Sequence, residues 1–433
     1  MTQDGWIPTR DAALERLEAF LPDAGVRYAR TRNTDEGWSG DEPTGPARRS
    51  HVSGLSPWLT RRMLTEREVV AAAVGRHGSD ASRKFVEEIL WRTYWKGWLA
   101  RHPSVWDDYE QARKNDAQRV SLHPGRRRVL AQATAGTTGI ECFDHWVREL
   151  SHTGYLHNHA RMWFASIWVF TLGLPWSLGA ALFERELLDR DPASNTLSWR
   201  WVAGLHTRGK PYVARAANIA KYTGGRFDPR GQLDEHPSPL REDVEHPLEP
   251  PPLWPPVEAG PRTGLLVTTE DLAVERSELA RLSIAAIAGG RPVEHSDPER
   301  ESARMRAFDT YALDDGLRRA GRHFVVAPSR LPDGPAWLAA VVQWARAHAL
   351  ERVVAMAPAV GPWESPFERL RTALLAHGIE LALTQREWDR LLFPYTDRGY
   401  FKLRRQIPRV TALGPEPVHD PGPAPSRIAS TGG

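Results

Sequence analysis

Between Leu187 and Gly204 the chain reads LLDRDPASNTLSWRWVAG, which sets Asp189 and Asp191 two residues apart, followed by Asn195 and then by Trp199 and Trp201. Upstream, Tyr155–Met162 reads YLHNHARM, with Asn158 and Arg161 three apart. Two carboxylates at this spacing suit a metal pair or a hydrolytic dyad. Aspartates near an arginine also make a plain structural ion pair, and paired tryptophans usually pack a core. Tryptophan further suits base stacking and electron transfer. Residue types alone leave all of these open.

Two other stretches carry chemistry-bearing groups. In ASRKFVEEILWRTYWKGWLA (81–100), Glu88 and Arg92 stand one helical turn apart around Trp91. On a helix surface such a pair contributes about 0.2–0.5 kcal/mol; beside a tryptophan it can instead line a pocket. Ser53, Gly54 and Ser56 precede Pro57, which suits the start of a helix. Backbone N–H groups and hydroxyls there suit a phosphate, while a plain N-cap is the simpler explanation.

The elements that must position these groups divide the chain in two. Helical spacing marks 9–21 (Ala13, Leu14, Leu17, Phe20), 81–100 (Phe85, Ile89, Tyr94, Trp98), 142–150, 157–170 and 176–188. The 157–170 segment is almost wholly apolar after its first turn and reads as a central buried helix. Asn158 and Arg161 are then costly unless they find partners. A basic, Gly-punctuated passage (206–231) closes this half. A Pro-rich acidic stretch follows, DEHPSPLREDVEHPLEPPPLWPPVEAGP, which reads as a semi-rigid spacer.

Beyond it, GLLVTT (264–269), HFVVAPS (323–329), ERVVAMAP (351–358) and ELALT (380–384) read as strands, while LSIAAIAGG (282–290) fits strand or helix. Helices are expected at 302–320, 336–349 and 366–377. This alternation predicts a doubly wound parallel sheet. The expected fold class is therefore multi-domain, α followed by Rossmann-like α/β. The units are a helical domain (1–230), a linker (231–262), an α/β domain (263–413) and a disordered tail (414–433). Neither GxGxxG nor a Walker lysine is present.

Composition narrows the classes. The 433 residues are 41% hydrophobic and 26% charged, as in globular proteins. No run of about 18 uncharged apolar residues predicts a membrane span. The first residues lack a secretory pattern, so the expectation is cytoplasmic. Cys142 is the single cysteine, which excludes an intrachain disulfide and a Cys-rich zinc or iron–sulfur centre; no metal site is expected. The net charge of +3, from 57 Lys+Arg and 54 Asp+Glu, is compatible with DNA without requiring it. Most of the 18 tryptophans precede residue 260.

Taken together and in order, SGLSPWL, FVEEILWRTYW, TGIECFDHWVRELSHTGYLHNHARM and LLDRDPASNTLSWRWVAG resemble the FAD-binding helical domain of the photolyase/cryptochrome family. LLVTTEDLAVERSEL, WESPFERLRTALLAHGIELALTQREWDRLLFP and GYFKLRRQIPRV resemble the family's α/β domain. That domain normally comes first, so the resemblance implies a circular permutation.

It also implies FAD as cofactor and roles residue by residue. Tyr28, Ser53, Leu55 and Ser56 match the phosphate-gripping segment, with Val52 at a usual threonine. Glu88, Trp91 and Arg92 match a motif whose acid contacts a lesion base, whose tryptophan stacks on it and whose arginine supports the cofactor. Asn158 matches an amide between lesion and flavin. Arg161 and Asp189 match an ion pair beside the flavin ring, Asp191 the acid facing its N3 edge, and Asn195 the residue beside N5. Trp199 and Trp176 match the proximal and middle members of an electron-transfer chain, and Trp201 and Met162 line the lesion pocket with Trp91.

No counterpart of the distal tryptophan stands around Ser121–His123. His159 and Ala214 replace residues that are usually basic. The implied function is blue-light-driven repair of cyclobutane pyrimidine dimers in DNA. The alternative is a photoreceptor that signals to a protein partner. A second, light-harvesting chromophore in the α/β domain is a further implication.

Overall fold

In the computed structural model of the chain, residues 5–38, 51–258, 260, 262–292 and 300–417 are described. The helical half runs from α1 (Arg10–Phe20) through α2 (Val26–Thr31), α3 (Ser56–Thr60) and the long α4 (Glu66–Ala100). It continues with α5 (Ser104–Ser121), α6 (Pro124–Ala135), α7 (Glu141–Thr153) and α8 (Asn158–Ser166). After a single wide turn at Ile167–Thr171 come α9 (Trp176–Glu186), α10 (Pro192–Ala203) and α11 (Ala216–Tyr222).

Local chemistry sets several of these boundaries. Thr65 and Glu68 form a reciprocal capping box at the start of α4. Gly78 breaks that helix into two arms with φ 75°, a left-handed conformation that favours glycine. Asp191 caps α10 through the Ser194 amide and Pro192 occupies the first turn, so one aspartate of the chemistry-bearing segment already has a structural task.

The second half is a five-stranded, all-parallel sheet in the order β3-β2-β1-β4-β5. Its strands are β1 (Thr263–Val267), β2 (Ala286–Gly289), β3 (Pro328–Arg330), β4 (Arg352–Met356) and β5 (Glu380–Thr384). The helices α12 (Ala303–Phe324), α13 (Trp337–Ala347) and α14 (Glu364–Leu375) join them, and α15 (Glu387–Leu392), α16 (Phe401–Arg404) and α17 (Ile407–Ala412) follow. Buried on both faces, β1 and β2 are near-continuous apolar runs, as parallel strands require.

One expectation needs correction, and the spacer and tail gain detail. The strand expected at 323–329 shrinks to Pro328–Arg330, because the apolar stripe Leu313–Leu317–Ala320–Phe324 carries α12 onward to Phe324. Val325, in the left-handed region at φ 55°, ends the helix. The spacer is fastened rather than free: the amides of Leu240 and Glu249 donate to the carbonyls of Ala203 and Arg101. Glu242 pairs with Arg200, and the Trp254 amide donates to Gln385. Of the tail, residues 418–433 lie outside the described residues, but Leu413 and Gly414 accept hydrogen bonds from Arg67, and Glu416 is buried against Arg386.

One apolar core spans the halves, and the sheet half has a second of its own around Leu266, Trp337 and Val353. The spanning cluster holds Trp6, Leu90 and Trp199 together with Leu272, Phe308 and Trp388. Along the seam the buried arginines Arg61, Arg62 and Arg386 meet Asp309, Asp389 and Asp271 at 2.5, 2.6 and 2.6 Å.

Candidate functional site

The segment 187–195 leaves α9, turns at Asp189, and enters α10 under the Asp191 cap. Opposite it, the first turn of α8 presents Arg161, whose Nη2 lies 2.8 Å from Asp189 Oδ2, while its Nε donates to the Leu156 carbonyl at 2.9 Å. The Arg161 guanidinium also covers the Tyr155 ring at 5.3 Å. The other Asp189 oxygen, Oδ1, is buried and without a hydrogen-bond partner among the described residues. A buried carboxylate oxygen left open costs about 1–3 kcal/mol or more unless a donor reaches it.

Asp191 lies at the end of a second buried network. Its Oδ2 is 3.0 Å from Arg92 Nη1, and Arg92 also reaches Glu66 at 3.3 Å and the Thr60 hydroxyl at 3.2 Å. Burial pushes the Asp191 pKa up, but Arg92, Lys96 and the Ser194 amide outweigh it and hold the group below the ordinary carboxylate value. Asn195, one turn into α10, donates to the Ala180 carbonyl at 2.8 Å. Arg161, Asp189, Asp191, Arg92 and Asn195 thus come from α4, α8 and α10 into one region, and Thr60 bridges the two networks by donating to the Asp189 carbonyl at 3.3 Å.

The Glu88–Arg92 pair suggested by their spacing does not form. Arg92 turns inward to Glu66 and Asp191, and Glu88 pairs with Arg32 at 3.0 Å and Lys84 at 3.3 Å. The two deeper acids present Arg92 with more carboxylate than Glu88 alone offers.

Trp91 is half-buried, and one face is stacked on Tyr400 from the second half, with centroids 3.8 Å apart and planes at 10°. Trp201 and Met162 are also half-buried, and Trp201 packs against Tyr212 at 5.5 Å. Asn158 is exposed at the first turn of α8. Tyr28 is buried against Phe20 and Phe85, where burial and then Glu88 raise its pKa. Ser53 accepts from the Leu55 amide at 3.4 Å, Leu55 is fully buried, and Ser56 opens the short α3.

Trp199 is buried among Phe183, Phe164 and Trp168, and its indole N–H has no partner among the described residues. Trp176 faces Tyr109 at 5.6 Å. His159 is buried, stacked on Trp163 at 4.1 Å, and burial lowers its pKa, so it stays neutral; Ala214 is buried as well. Sequence reasoning missed Glu66, Lys96, Tyr109 and Tyr400. Only the TYWKGW run adjoining Arg92 offered a signal, for Lys96.

A cavity of about 280 Å³ opens between the halves. The ends of β1, β2 and β4 line it through Glu270, Arg291 and Trp363, and the helical side contributes Lys96, Trp106 and Asp191. It lies at the carboxyl ends of the strands where the winding of the sheet reverses, the usual crevice of such sheets. Among the described residues there is no cluster of three or more metal-binding side chains, and no helix is long and apolar enough to cross a membrane.

Residues 85–237 match the FAD binding domain of DNA photolyase. A deoxyribodipyrimidine photo-lyase of Thermus thermophilus is 33% identical over 248 residues, covering 56% of this chain and 54% of that protein. A cryptochrome DASH of Idiomarina loihiensis is 28% identical over 229 residues, 52% of this chain and 47% of that protein. The crystal structure of a bacterial class III photolyase from Agrobacterium tumefaciens overlaps 51% of this chain and 43% of its own, at 29% identity and a TM-score of 0.41. The chain spans about half the length of the curated relatives it matches.

Proposed function

We propose, for a chain whose helical half belongs to the photolyase/cryptochrome family, that it binds FAD there and uses it for light-driven repair of cyclobutane pyrimidine dimers in DNA. The observation that carries this reading is the open Asp189 Oδ1, buried beside the Arg161 ion pair inside the matched segment. A flavin ring edge bears an N–H donor between two carbonyl acceptors, and such an edge complements an unpartnered carboxylate oxygen next to a fixed guanidinium.

The residues fit the group. Asp189, Asp191 and Asn195 would face its ring edge. Arg161 and Arg92 would orient those acids, and Tyr28, Ser53, Leu55 and Ser56 would contact its phosphate arm. Bound flavin supplies a light-excited one-electron donor. Around it this chain's residues would bind and orient: Trp91, stacked on Tyr400 on one side, would stack on an extruded base, and Trp201 and Met162 would line the same pocket. Glu88, paired with Arg32 and Lys84, would accept hydrogen bonds from the base edge, and Asn158 would bridge base and flavin.

The helical half preceding the sheet half reads as a circular permutation of the family's order. The α/β half would take a second, light-harvesting chromophore.

A photoreceptor without repair activity is the second reading. It is favoured by the neutral, stacked His159 and the buried Ala214, which leave two positions that are usually basic without charge. The deciding experiment is an absorption spectrum of the purified chain, followed by blue-light illumination of the reduced protein with dimer-containing oligonucleotide. Restored monomeric bases support repair. Unchanged dimers in a yellow, photoreducible protein support the photoreceptor, and a colourless protein defeats both.

A further inference from the structure

Trp199 has two aromatic ways out, and they differ in kind. Through Phe164 and Trp168 the path ends inside the core: Trp168 is wholly buried, its indole N–H donates to the Pro175 carbonyl, and its other ring neighbour is a phenylalanine, a poor electron donor. The other way runs along α9. The Trp199 ring rests on Gly179, where a Cβ would come within 2.3 Å of it, one helical turn from Trp176. Trp176 faces Tyr109 at 5.6 Å with planes at 31°, and Tyr109 faces Trp106 at 5.3 Å. Trp106 lines the cavity between the halves.

Tyr109 is completely buried, and its hydroxyl donates to Glu184 Oε2 at 3.0 Å. Burial, and then the nearby acids, raise its pKa well above the ordinary phenol value, so it rests as the neutral phenol. A phenol that loses an electron becomes a strong acid and gives up its proton where a base is in hydrogen-bond contact. Glu184, two turns beyond Trp176 on the same helix, is that base.

We infer that Tyr109, with Glu184 as its proton acceptor, is the terminal electron donor of the path that runs inward through Trp176 and Trp199. This rests on the flavin-binding reading above. The exchanges balance. Trp199 gives one electron to the light-excited flavin, Trp176 gives one to Trp199, and Tyr109 gives one to Trp176 while its phenolic O–H bond breaks and the proton passes to Glu184 Oε2. One electron rests at the cofactor, one neutral tyrosyl radical stands at position 109, and one proton sits on Glu184. A small thiolate entering the cavity returns an electron by way of Trp106, Glu184 returns the proton, and the thiolate leaves oxidised by one electron. Tyr109 thus fills the place that the sequence leaves empty around Ser121–His123, from about three turns earlier on the same helix, α5.

The test is light-induced electron paramagnetic resonance on the purified, flavin-loaded full chain, with and without ring-deuterated tyrosine. The expected result is a tyrosyl signal that changes on deuteration and is lost in Tyr109→Phe, where a tryptophanyl signal replaces it. Trp176→Phe loses the tyrosyl signal and leaves the short-lived radical of Trp199 alone. Glu184→Gln, which keeps an acceptor oxygen but removes the base, shifts the signal from tyrosyl to tryptophanyl. A tyrosyl signal that persists in Tyr109→Phe, or a yellow, photoreducing wild type with tryptophanyl radicals alone, overturns the assignment and leaves flavin binding intact. A colourless chain overturns flavin binding and the path with it.

Discussion

The seam between the halves and the Asp189–Asp191 region both bury carboxylates against arginines, but they are satisfied to different degrees. At the seam, Arg386 gives Nε and Nη2 to Asp271 at 2.6 and 2.7 Å, Nη2 also to the Ala273 carbonyl, and Nη1 to the Arg276 carbonyl and to Glu416. Arg61 likewise spends its guanidinium on Asp309, on the Pro57 and Leu188 carbonyls and on the Met305 sulfur. The helical site stops short of this: Asp189 keeps one oxygen open, and the Trp199 indole N–H is unmet among the described residues. The Arg61 and Arg386 clusters are bonded fully enough to be part of the fold, although Arg62 Nε beside them is unmet among the described residues. The open Asp189 oxygen leaves an acceptor for a donor from something that binds.

The comparison breaks most visibly at Arg386. Arg386→Met leaves Asp271 and Glu416 buried without their cation, and the expected loss of stability is about 3–5 kcal/mol by urea unfolding. A loss below about 1 kcal/mol would mean that the seam is solvated. Asp189→Asn probes the other side. Loss of a charge-assisted hydrogen bond, about 1.5–3 kcal/mol, lowers flavin affinity about 10- to 100-fold by fluorescence titration. The unfolding midpoint of the flavin-free chain barely moves, because Arg161 is partly solvated. A large fall in that midpoint would place Asp189 with the seam.

Gly179→Ala disturbs the site without touching a charge. The new methyl overlaps the Trp199 ring, and overpacking of this kind costs about 1–3 kcal/mol, read as a lower melting temperature and a changed near-ultraviolet circular dichroism.

Acid affects both regions, and more gently. Asp309 and Asp191 are held below their ordinary value of 3.8 by Arg61 and Arg92 respectively, against the effect of burial, so the unfolded chain takes up those protons first. Their contributions are intact above that value and are lost as pH falls through the lower folded values. His206 belongs to neither cluster: burial lowers it from 6.5 to about 3, so it costs stability across that interval as pH falls. His206→Gln should flatten an unfolding titration between those two values and leave its steeper acid limb unchanged.

Much of this was legible in the sequence, for local reasons. Asp191–Pro192 is a helix start that needs no tertiary context, and α10 begins there. The strands at β1, β4 and β5 follow from short apolar runs bounded by breakers. Arg161 and Asp189, matched to each other through the family resemblance, stand 2.8 Å apart. What could not be read were partners far away in the chain. Glu88 spans 56 residues to Arg32, and Arg92 spans 26 to Glu66, because burial rewards whichever acid lies deeper rather than the one a turn away. Tyr400 reaches Trp91 from the other half, and no periodicity signals such a contact. At 323–329 the β-branched run was outweighed by four more residues of a helical stripe already under way.

The fastened spacer has a consequence for how this protein could be taken apart. With Leu240, Glu242, Glu249 and Trp254 tied down, and the core and ionic seam running across both halves, the peptide bonds between residues 242 and 253 carry little of the assembly. Cleaved there by a protease, the two fragments should stay together as a noncovalent heterodimer through gel filtration. Expressed as separate polypeptides, they should find one another and restore the same fold, so the molecule is in effect a two-part complex that happens to be written on one chain.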